Sequence, residues 1–257
     1  SDALDFVFDT TAPQVSINSS YPDPTNEAPV EFLIEFDEAV VDFGASVLSV
    51  SGGTVASVSF PQGYADSEGV AGDAASLFLV AVTPASTEAL VNVTIPAGAV
   101  TDQAGNSFAD ARSDARQYDF VRPTVGLSSE SDFYTNENPV PLRVLFSEPV
   151  YGFAADALTL GGAGGTVANF HAHSASNYSA DVYVDTSGAG DASTLTVQVL
   201  AGEAEDAAAN NNTASAVLTR HLEQVRPGVE LACASRDCVA SDSVFGVPTG
   251  ISGAPIS

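Results

Sequence analysis

The chain has 257 residues, of which 33 are acidic and 7 basic, giving a formal net charge of −26 at pH 7. A surface of this charge repels nucleic acid and anionic membranes, which excludes both as partners, and the interrupted apolar runs exclude a membrane-spanning segment. The same charge favours divalent cations, cationic partners or salty surroundings, or it serves solubility alone. An apolar fraction of 45% is enough for packed cores.

Two segments of the sequence occur twice. Thr25–Val30 (TNEAPV) returns as Thr135–Val140 (TNENPV), and Phe36–Val40 (FDEAV) returns as Phe146–Val150 (FSEPV). Both copies lie 110 positions after the original (136 − 26 and 146 − 36). A period of this length corresponds to a domain rather than to one turn of a solenoid, so the sequence predicts an array of similar domains.

Period-two alternation predicts strands along the whole chain. In Val30–Phe36 every second side chain, beginning with Val30 and ending with Phe36, is apolar and would face a core, while Glu31 and Glu35 would face water. Val140–Phe146 repeats the pattern. The same alternation occurs in Phe78–Val82, Val91–Ile95, Tyr178–Val184 and Leu195–Val199. Roughly seven strands in about 100 residues is typical of an immunoglobulin-like sandwich. The prediction is an all-β fold of tandem immunoglobulin-like antiparallel β-sandwiches.

A proline just before a new strand marks each predicted boundary, at Pro13, Pro123 and Pro227. The predicted divisions are a last strand of a preceding repeat at 1–9, one immunoglobulin-like domain at 10–120, a second at 121–225, and the start of an incomplete third repeat at 226–257. We therefore expect the chain to be a segment of a longer protein.

The two cysteines, Cys233 and Cys238, both lie beyond the second repeat. Each predicted sandwich must therefore depend on its hydrophobic core alone. The close spacing permits a small disulfide-bridged loop in an oxidising compartment, and the alternative is that each cysteine pairs elsewhere in the parent protein.

Three motifs together carry a family resemblance: Asp9–Pro13 (DTTAP), Asp102–Asn106 (DQAGN) and Phe146–Phe153 (FSEPVYGF). With these motifs in this order, residues 1 to about 230 resemble the bacterial-type immunoglobulin-like repeats. Such repeats occur in tandem in very large surface and secreted proteins, including adhesins and algal extracellular proteins. The resemblance implies a stalk, a spacer, an adhesive module or a filament subunit.

The second repeat departs from this pattern in two places. Asp206–Asn210 (DAAAN) lacks the glycine of the first copy, and Val121–Pro123 (VRP) lacks the acidic opening. The sequence therefore supports a cation site at the second joint less well than at the first.

The best metal candidate in the sequence is calcium at the domain joints. Asp9, Asp102, Asn106 and Asp119 would supply hard oxygen ligands if their loops converge. The alternative is that Asp102 and Asn106 only make side-chain to backbone bonds of a turn, with Gly105 at positive φ. No other cofactor is expected.

Four Asn-x-Ser/Thr sequons occur, at Asn18, Asn92, Asn177 and Asn211. Asn92 would lie on an outer sheet face, between two inward valines, and the others at strand ends or in loops, so all four are available for a glycan. A chain rich in serine and threonine also produces such sequons by chance.

His171 and His173 would share one face of a strand, as in a transition-metal pair, but no third ligand is evident and surface histidines are the favoured interpretation. The glycine-rich segment 161–166 lacks the lysine of a phosphate-binding loop and predicts a tight turn. No nucleophile elbow or zinc-protease motif orders the remaining polar residues, so we expect no enzyme.

The sequence favours a non-enzymatic structural segment of an extracellular or cell-surface protein, whose partners are neighbouring copies or other extracellular structural proteins. The alternative is an adhesive module that binds carbohydrate or protein through variable loops such as Pro61–Ala75 or Phe170–Asn177. Tyr64 and Tyr178 are candidates for stacking on the ligand, but core or surface tyrosine is the favoured interpretation of both. An accessory domain of a secreted enzyme is a third hypothesis.

Overall fold

The computed structural model describes residues 8–61, 75–185 and 192–223. Three sequence predictions lie outside these ranges: the preceding strand within residues 1–7, the loop that carries Tyr64, and everything after residue 223, including Cys233, Cys238 and the third repeat.

Strands are the main regular secondary structure of the described residues. They are β1 (Val15–Asn18), β2 (Val30–Val41), β3 (Ser49–Ser51), β4 (Gly53–Ser59), β5 (Ala75–Pro84), β6 (Glu88–Ile95), β7 (Thr101–Asp102), β8 (Arg112–Asp119), β9 (Val125–Ser128), β10 (Tyr134–Thr135), β11 (Val140–Phe146), β12 (Leu158–Gly162), β13 (Gly165–Ser174), β14 (Asn177–Val184), β15 (Ala192–Val199) and β16 (Leu218–Glu223). Short 3₁₀ turns at Ala45–Val47 and Ala155–Ala157 interrupt them. Within the described ranges, no helix has the length and apolar character needed to span a membrane.

The strands up to β8 form the first sandwich. One sheet has the order β1-β2-β5-β4, with β7 also paired to β2, and the other has the order β3-β6-β8. All these pairs are antiparallel. Valines from both sheets, such as Val80 of β5 and Val93 of β6, lie in one buried cluster, so the two sheets enclose a common core.

The second sandwich repeats this arrangement from β9 onward. Its sheets have the orders β13-β14-β11-β9 and β10-β16-β15-β12. The short strand β10 runs parallel to β16, with Thr135 opposite Leu222, and Thr25 and Tyr118 form the equivalent parallel bridge in the first sandwich. The predicted all-β sandwich fold is confirmed.

The alternation in the sequence corresponds to the burial in the structure. Val30, Phe32 and Ile34 are fully buried, while Glu35 between the last of them and Phe36 is exposed. Val140, Leu142 and Val144 are at most 2% exposed. Because successive side chains of a strand point to opposite faces, one apolar residue in every two is sufficient to form each inner face.

Edge-on contacts between aromatic rings form part of each core. In the first sandwich the ring of Phe36 lies 5.7 Å from Phe43 and 6.2 Å from Phe78, centroid to centroid. In the second the ring of Phe146 lies 5.0 Å from Phe153 and 6.0 Å from Tyr178. Each aromatic therefore has a counterpart in the other repeat, and such pairs add to the stabilisation from buried area.

The prediction of a loop at Phe170–Asn177 is wrong. Strand β13 continues to Ser174, and only residues 175 and 176 separate it from β14. The register shifts between Ala168 and His171, where Asn169 has φ 50°. A bulge of this kind adds a residue to one strand and thereby hides the period-two pattern in the sequence.

Candidate functional site

A hydrogen-bonded turn joins Asp102 to Asn106 in the first sandwich. The Asn106 backbone N–H donates to Asp102 Oδ1 (2.8 Å), and its side-chain Nδ2 donates to Asp102 Oδ2 (2.7 Å). Gly105 takes φ 91°. The structure thus shows the turn that the sequence allowed, with Asp102 only 3% exposed.

The second sandwich contains the same turn without the glycine. Asp206 Oδ1 accepts the Asn210 backbone N–H and Asp206 Oδ2 accepts Asn210 Nδ2, both at 2.9 Å. Ala209 occupies the position of Gly105, with φ 65°. A left-handed backbone costs an alanine roughly 1–2 kcal/mol. The loss of the glycine therefore strains this turn but does not abolish it.

This difference predicts opposite effects of two substitutions. Ala209→Gly should raise the free energy of unfolding of the second sandwich by up to about 1 kcal/mol, and Gly105→Ala should lower that of the first by about as much. A Cβ at Gly105 meets no atom within 4 Å, so backbone strain alone is tested there. Calorimetry of the two unfolding transitions measures both effects. Equal stability of Ala209→Gly and its parent would contradict the assignment of strain.

The chain enters both sandwiches through the same contacts. Asp9 Oδ1 accepts the Thr11 N–H and Asp119 Oδ1 accepts the Val121 N–H, each at 2.9 Å. The asparagine of each turn then donates to the backbone carbonyl of that aspartate, Asn106 to Asp9 O (3.2 Å) and Asn210 to Asp119 O (3.0 Å). Asp9 therefore makes the same contacts with the first sandwich that Asp119, the last residue of β8, makes with the second.

One further hydrogen bond links the two sandwiches directly. Asn26 of the first donates its Nδ2 to Asn210 Oδ1 of the second (3.2 Å). Arg122 lies between the sandwiches and donates from its guanidinium to the Asn211 and Asn212 carbonyls (2.8 and 3.1 Å). Asn210 is thus hydrogen-bonded to residues of both sandwiches, and it is 5% exposed.

Three carboxylates meet at each of these positions. Cluster 1 consists of Asp9, Glu38 and Asp102, and cluster 2 consists of Asp119, Glu148 and Asp206. Within each cluster, one carboxylate oxygen of every residue lies within 4.8 Å of the others. Cluster 2 combines Asp119 of the first sandwich with two residues of the second. It therefore lies at the joint.

The electrostatics of the two glutamates reflect this crowding. Burial, followed by the charges of Asp102 and Asp9, raises the pKa of Glu38. Burial, followed by the charges of Asp206 and Asp119, raises the pKa of Glu148. Burial and like-charge repulsion thus disfavour the ionised form of each glutamate, and a bound cation would offset both effects.

The third carboxylate of cluster 1 is shifted in the opposite direction. Desolvation works to raise the pKa of Asp102, but the hydrogen bonds from the Asn106 side chain and from the backbone of Asn106, Gly105 and Ala104 outweigh it and lower the pKa. Asp102 is therefore a fixed negative charge at neutral pH.

The chemistry of the clusters suits a hard cation. Ca²⁺ takes 6–8 oxygen ligands at 2.3–2.6 Å, commonly carboxylates with backbone carbonyls and water. In cluster 1, a surface depression lined by Asp9, Glu38, Ala39, Gln103 and Ala104 leaves room for such waters. The ion pair between Arg116 and Asp114 lies outside both clusters.

The structure divides the four predicted ligands between the two clusters. Asp9 and Asp102 lie together, with Asn106 bonded to both through its amide nitrogen, while Asp119 belongs to cluster 2. The sequence interpretation missed Glu38, Glu148 and Asp206. The signal for them was present, since Glu38 and Glu148 are the acids that the two copies FDEAV and FSEPV share, and Asp206 matches Asp102 in the repeat.

Tyr178 is a core residue, as the favoured interpretation of the sequence predicts, and not an exposed ring available for ligand stacking. Its ring is 5% exposed and packs on Phe153 and Phe170, and its hydroxyl donates to the Ala175 carbonyl (3.0 Å). Tyr178 continues the inward positions of β14, which is why it is a core residue.

The four sequon asparagines lie at solvent-accessible positions. Asn18 and Asn211 are exposed, at the end of β1 and in the loop after the second turn. Asn92, in β6 between the buried Val91 and Val93, and Asn177, at the start of β14, are partly exposed. His171 and His173 are both exposed on β13.

Comparison with known proteins identifies the fold family. A family model described as "Bacterial Ig-like domain" matches residues 9–118 and again residues 119–221. No curated protein matches the chain. The two matches follow one another directly, and the second begins at Asp119, where cluster 2 lies.

Proposed function

Because the chain belongs to the bacterial Ig-like domain family, whose members are typically non-enzymatic, we propose that it is a structural segment of a large extracellular or cell-surface protein. In this proposal, tandem sandwiches build a stalk, a surface layer or a filament. The partners are neighbouring copies or other extracellular structural proteins.

The repeated joint is the observation that carries this proposal. Asp9 and Asp119 make the same bonds to the backbone N–H two residues later and to the asparagine of the following turn. A flexible spacer would need no such side-chain bonds. If every repeat of the parent array begins with these bonds, successive sandwiches stand in a constant relation, as a rod requires.

Small-angle scattering of the whole chain tests this proposal. Two sandwiches arranged end to end give the profile of an elongated particle. A compact globular profile would contradict the proposed role.

We further propose that clusters 1 and 2 bind calcium and that calcium stiffens the array. The support is that two clusters with the same composition, two aspartates and one glutamate, occur at equivalent positions of both repeats. Burial, followed by the charges of the two neighbouring aspartates, raises the pKa of each glutamate, and a cation would offset both causes. Extracellular modules commonly bind calcium with a Kd of about 10⁻⁴–10⁻³ M.

Calcium is expected to stabilise both sandwiches. At about 10 mM calcium this range of Kd corresponds to about 1.4–2.7 kcal/mol of added stability, because a ligand that binds only the native state shifts the unfolding equilibrium. Calorimetry with calcium and with a chelator measures the shift in Tm. The double variant Glu38→Gln with Glu148→Gln should lose it, and Glu35→Gln, an exposed acid on the same strand as Glu38, should keep it. An equal calcium shift in all three proteins, or none in the parent, would refute the calcium site.

The raised pKa values of the two glutamates also predict how the stability of the calcium-free protein depends on pH. A raised pKa means that the native state binds the proton of Glu38 or Glu148 more tightly than the unfolded chain does. The contribution of these groups to stability therefore falls as pH rises from the ordinary glutamate pKa through the raised one. Removing both charges should stabilise the calcium-free protein at neutral pH, whereas Glu35→Gln should not.

We also propose that the protein is a glycoprotein, because all four sequon asparagines are at least partly accessible. Intact-mass measurement of native material before and after glycosidase treatment tests this. Identical masses would contradict it.

A further inference from the structure

Strand β13 presents two imidazoles that neither the joint nor the clusters use. His171 and His173 alternate along this strand, which lies at the edge of its sheet, and both side chains are exposed. Their ring centroids are 4.6 Å apart. His173 is the extra residue of a register shift, since Ala172 lies opposite Tyr178 and Ser174 lies opposite Asn177. Such a bulge re-aims a side chain, here bringing the two rings together.

The separation of the rings matches chelation of one metal ion. With a metal–nitrogen bond of about 2.0–2.1 Å, each ring centroid lies about 3.2 Å from the metal, so two rings at an angle of roughly 90–110° have centroids about 4.5–5.2 Å apart. The observed 4.6 Å lies within this interval, so binding would need little movement of the strand.

A neighbouring hydroxyl orients one of the rings. His173 Nε2 lies 2.9 Å from Ser179 Oγ on the adjacent strand β14. With Nε2–H donating to this oxygen, Nδ1 carries the lone pair that a metal requires. Metal-binding histidines usually have their second nitrogen fixed by a hydrogen bond of this kind.

The chemistry of the pair selects the class of metal. Neutral imidazole suits Cu²⁺, Zn²⁺ and Ni²⁺, and Ca²⁺ and Mg²⁺ prefer oxygen, so this pair and the carboxylate clusters would take different ions. Glu130 and Arg143, which carry opposite charges, also line the depression beside His173. The net charge of −26 concentrates cations near the whole surface.

We propose that His171 and His173 form a binding site for a divalent transition-metal ion, with Cu²⁺ the strongest-binding member of the class. The two nitrogens supply part of the coordination shell and water supplies the rest. By the general order of divalent affinities, Cu²⁺ binds more tightly than Ni²⁺ or Zn²⁺.

Copper titration of the whole chain tests the proposal. Cys233 and Cys238 are first replaced by serine to remove their thiols, and excess calcium occupies the carboxylates. We expect one Cu²⁺ per chain, with nitrogen hyperfine coupling from two imidazoles in the electron paramagnetic resonance spectrum. His171→Ala and His173→Ala should each weaken binding at least tenfold.

The third histidine provides the matched control. His221→Ala should leave copper affinity and the two-nitrogen spectrum unchanged, since Nδ1 of His221 contacts Thr194 Oγ1 on the other sheet (3.0 Å). Both variants of the pair should keep the Tm of the parent, because the substituted side chains are exposed. Unchanged copper affinity in His171→Ala with His173→Ala, or a spectrum without imidazole nitrogen, would overturn the proposal.

Discussion

Replacing Phe32 by alanine is expected to destabilise the first sandwich by about 3–5 kcal/mol and to leave the second unchanged. Phe32 of β2 is fully buried, and the cavity left behind adds to the lost burial of the ring. A sandwich of this size should lose about 12 °C or more in Tm. Calorimetry of the whole chain, with separate transitions for the two sandwiches, measures the effect.

Leu142→Ala is the matched experiment in the second sandwich. Leu142 is the residue of β11 that corresponds to Phe32 of β2, and it is 2% exposed. The two buried clusters share no residue, so each substitution should lower one transition only. If Phe32→Ala lowered both transitions equally, the two sandwiches would not be independent folding units.

Asn210→Ala is expected to cost the second sandwich about 3 kcal/mol and also to release the joint. The side chain of Asn210 donates to Asp119 O and Asp206 Oδ2 and accepts from Asn26, and it is buried. Its removal leaves Asp206 with a lost hydrogen bond in a buried position. Thermal unfolding measures the first effect.

The variant Asn106→Ala separates the loss of stability from the release of the joint. Asn106 makes the corresponding hydrogen bonds in the first sandwich, to the side chain of Asp102 and to the carbonyl of Asp9 at the start of that sandwich. The substitution Asn106→Ala should therefore destabilise the first sandwich without changing how the two sandwiches are positioned relative to each other. If Asn210→Ala and Asn106→Ala altered the scattering profile equally, Asn210 would not be the residue that fixes the joint.

Much of the fold was predictable because its pattern is local. In Val30–Phe36 and Val140–Phe146 every second residue is apolar, so their inward faces follow from the sequence alone. The bulge at Asn169 could not be anticipated in this way. Its positive φ and the register shift depend on pairing with β14, and they turn a segment without clear alternation into a strand.

The candidate site was harder to predict because its residues are distant in the sequence. Asp9, Glu38 and Asp102 meet only once the chain has passed through the strands between them. The repeat could have identified the glutamates of the two clusters, since both copies have a glutamate at the equivalent positions 38 and 148. The turn at Asp206 shows the limit of motif matching, because Ala209 adopts φ 65° where the motif has glycine and the same hydrogen bonds form.

We expect the hydrogen bonds around Asn210 to hold the two sandwiches in one fixed relation. Double electron–electron resonance between spin labels on the two sandwiches tests it most directly, with Ser57→Cys and Thr159→Cys as exposed label sites and Cys233 and Cys238 replaced by serine. We predict one narrow distance distribution for the parent and for Asn106→Ala, and a broad one for Asn210→Ala. A broad distribution in the parent protein would show that the sandwiches move independently and would contradict the account.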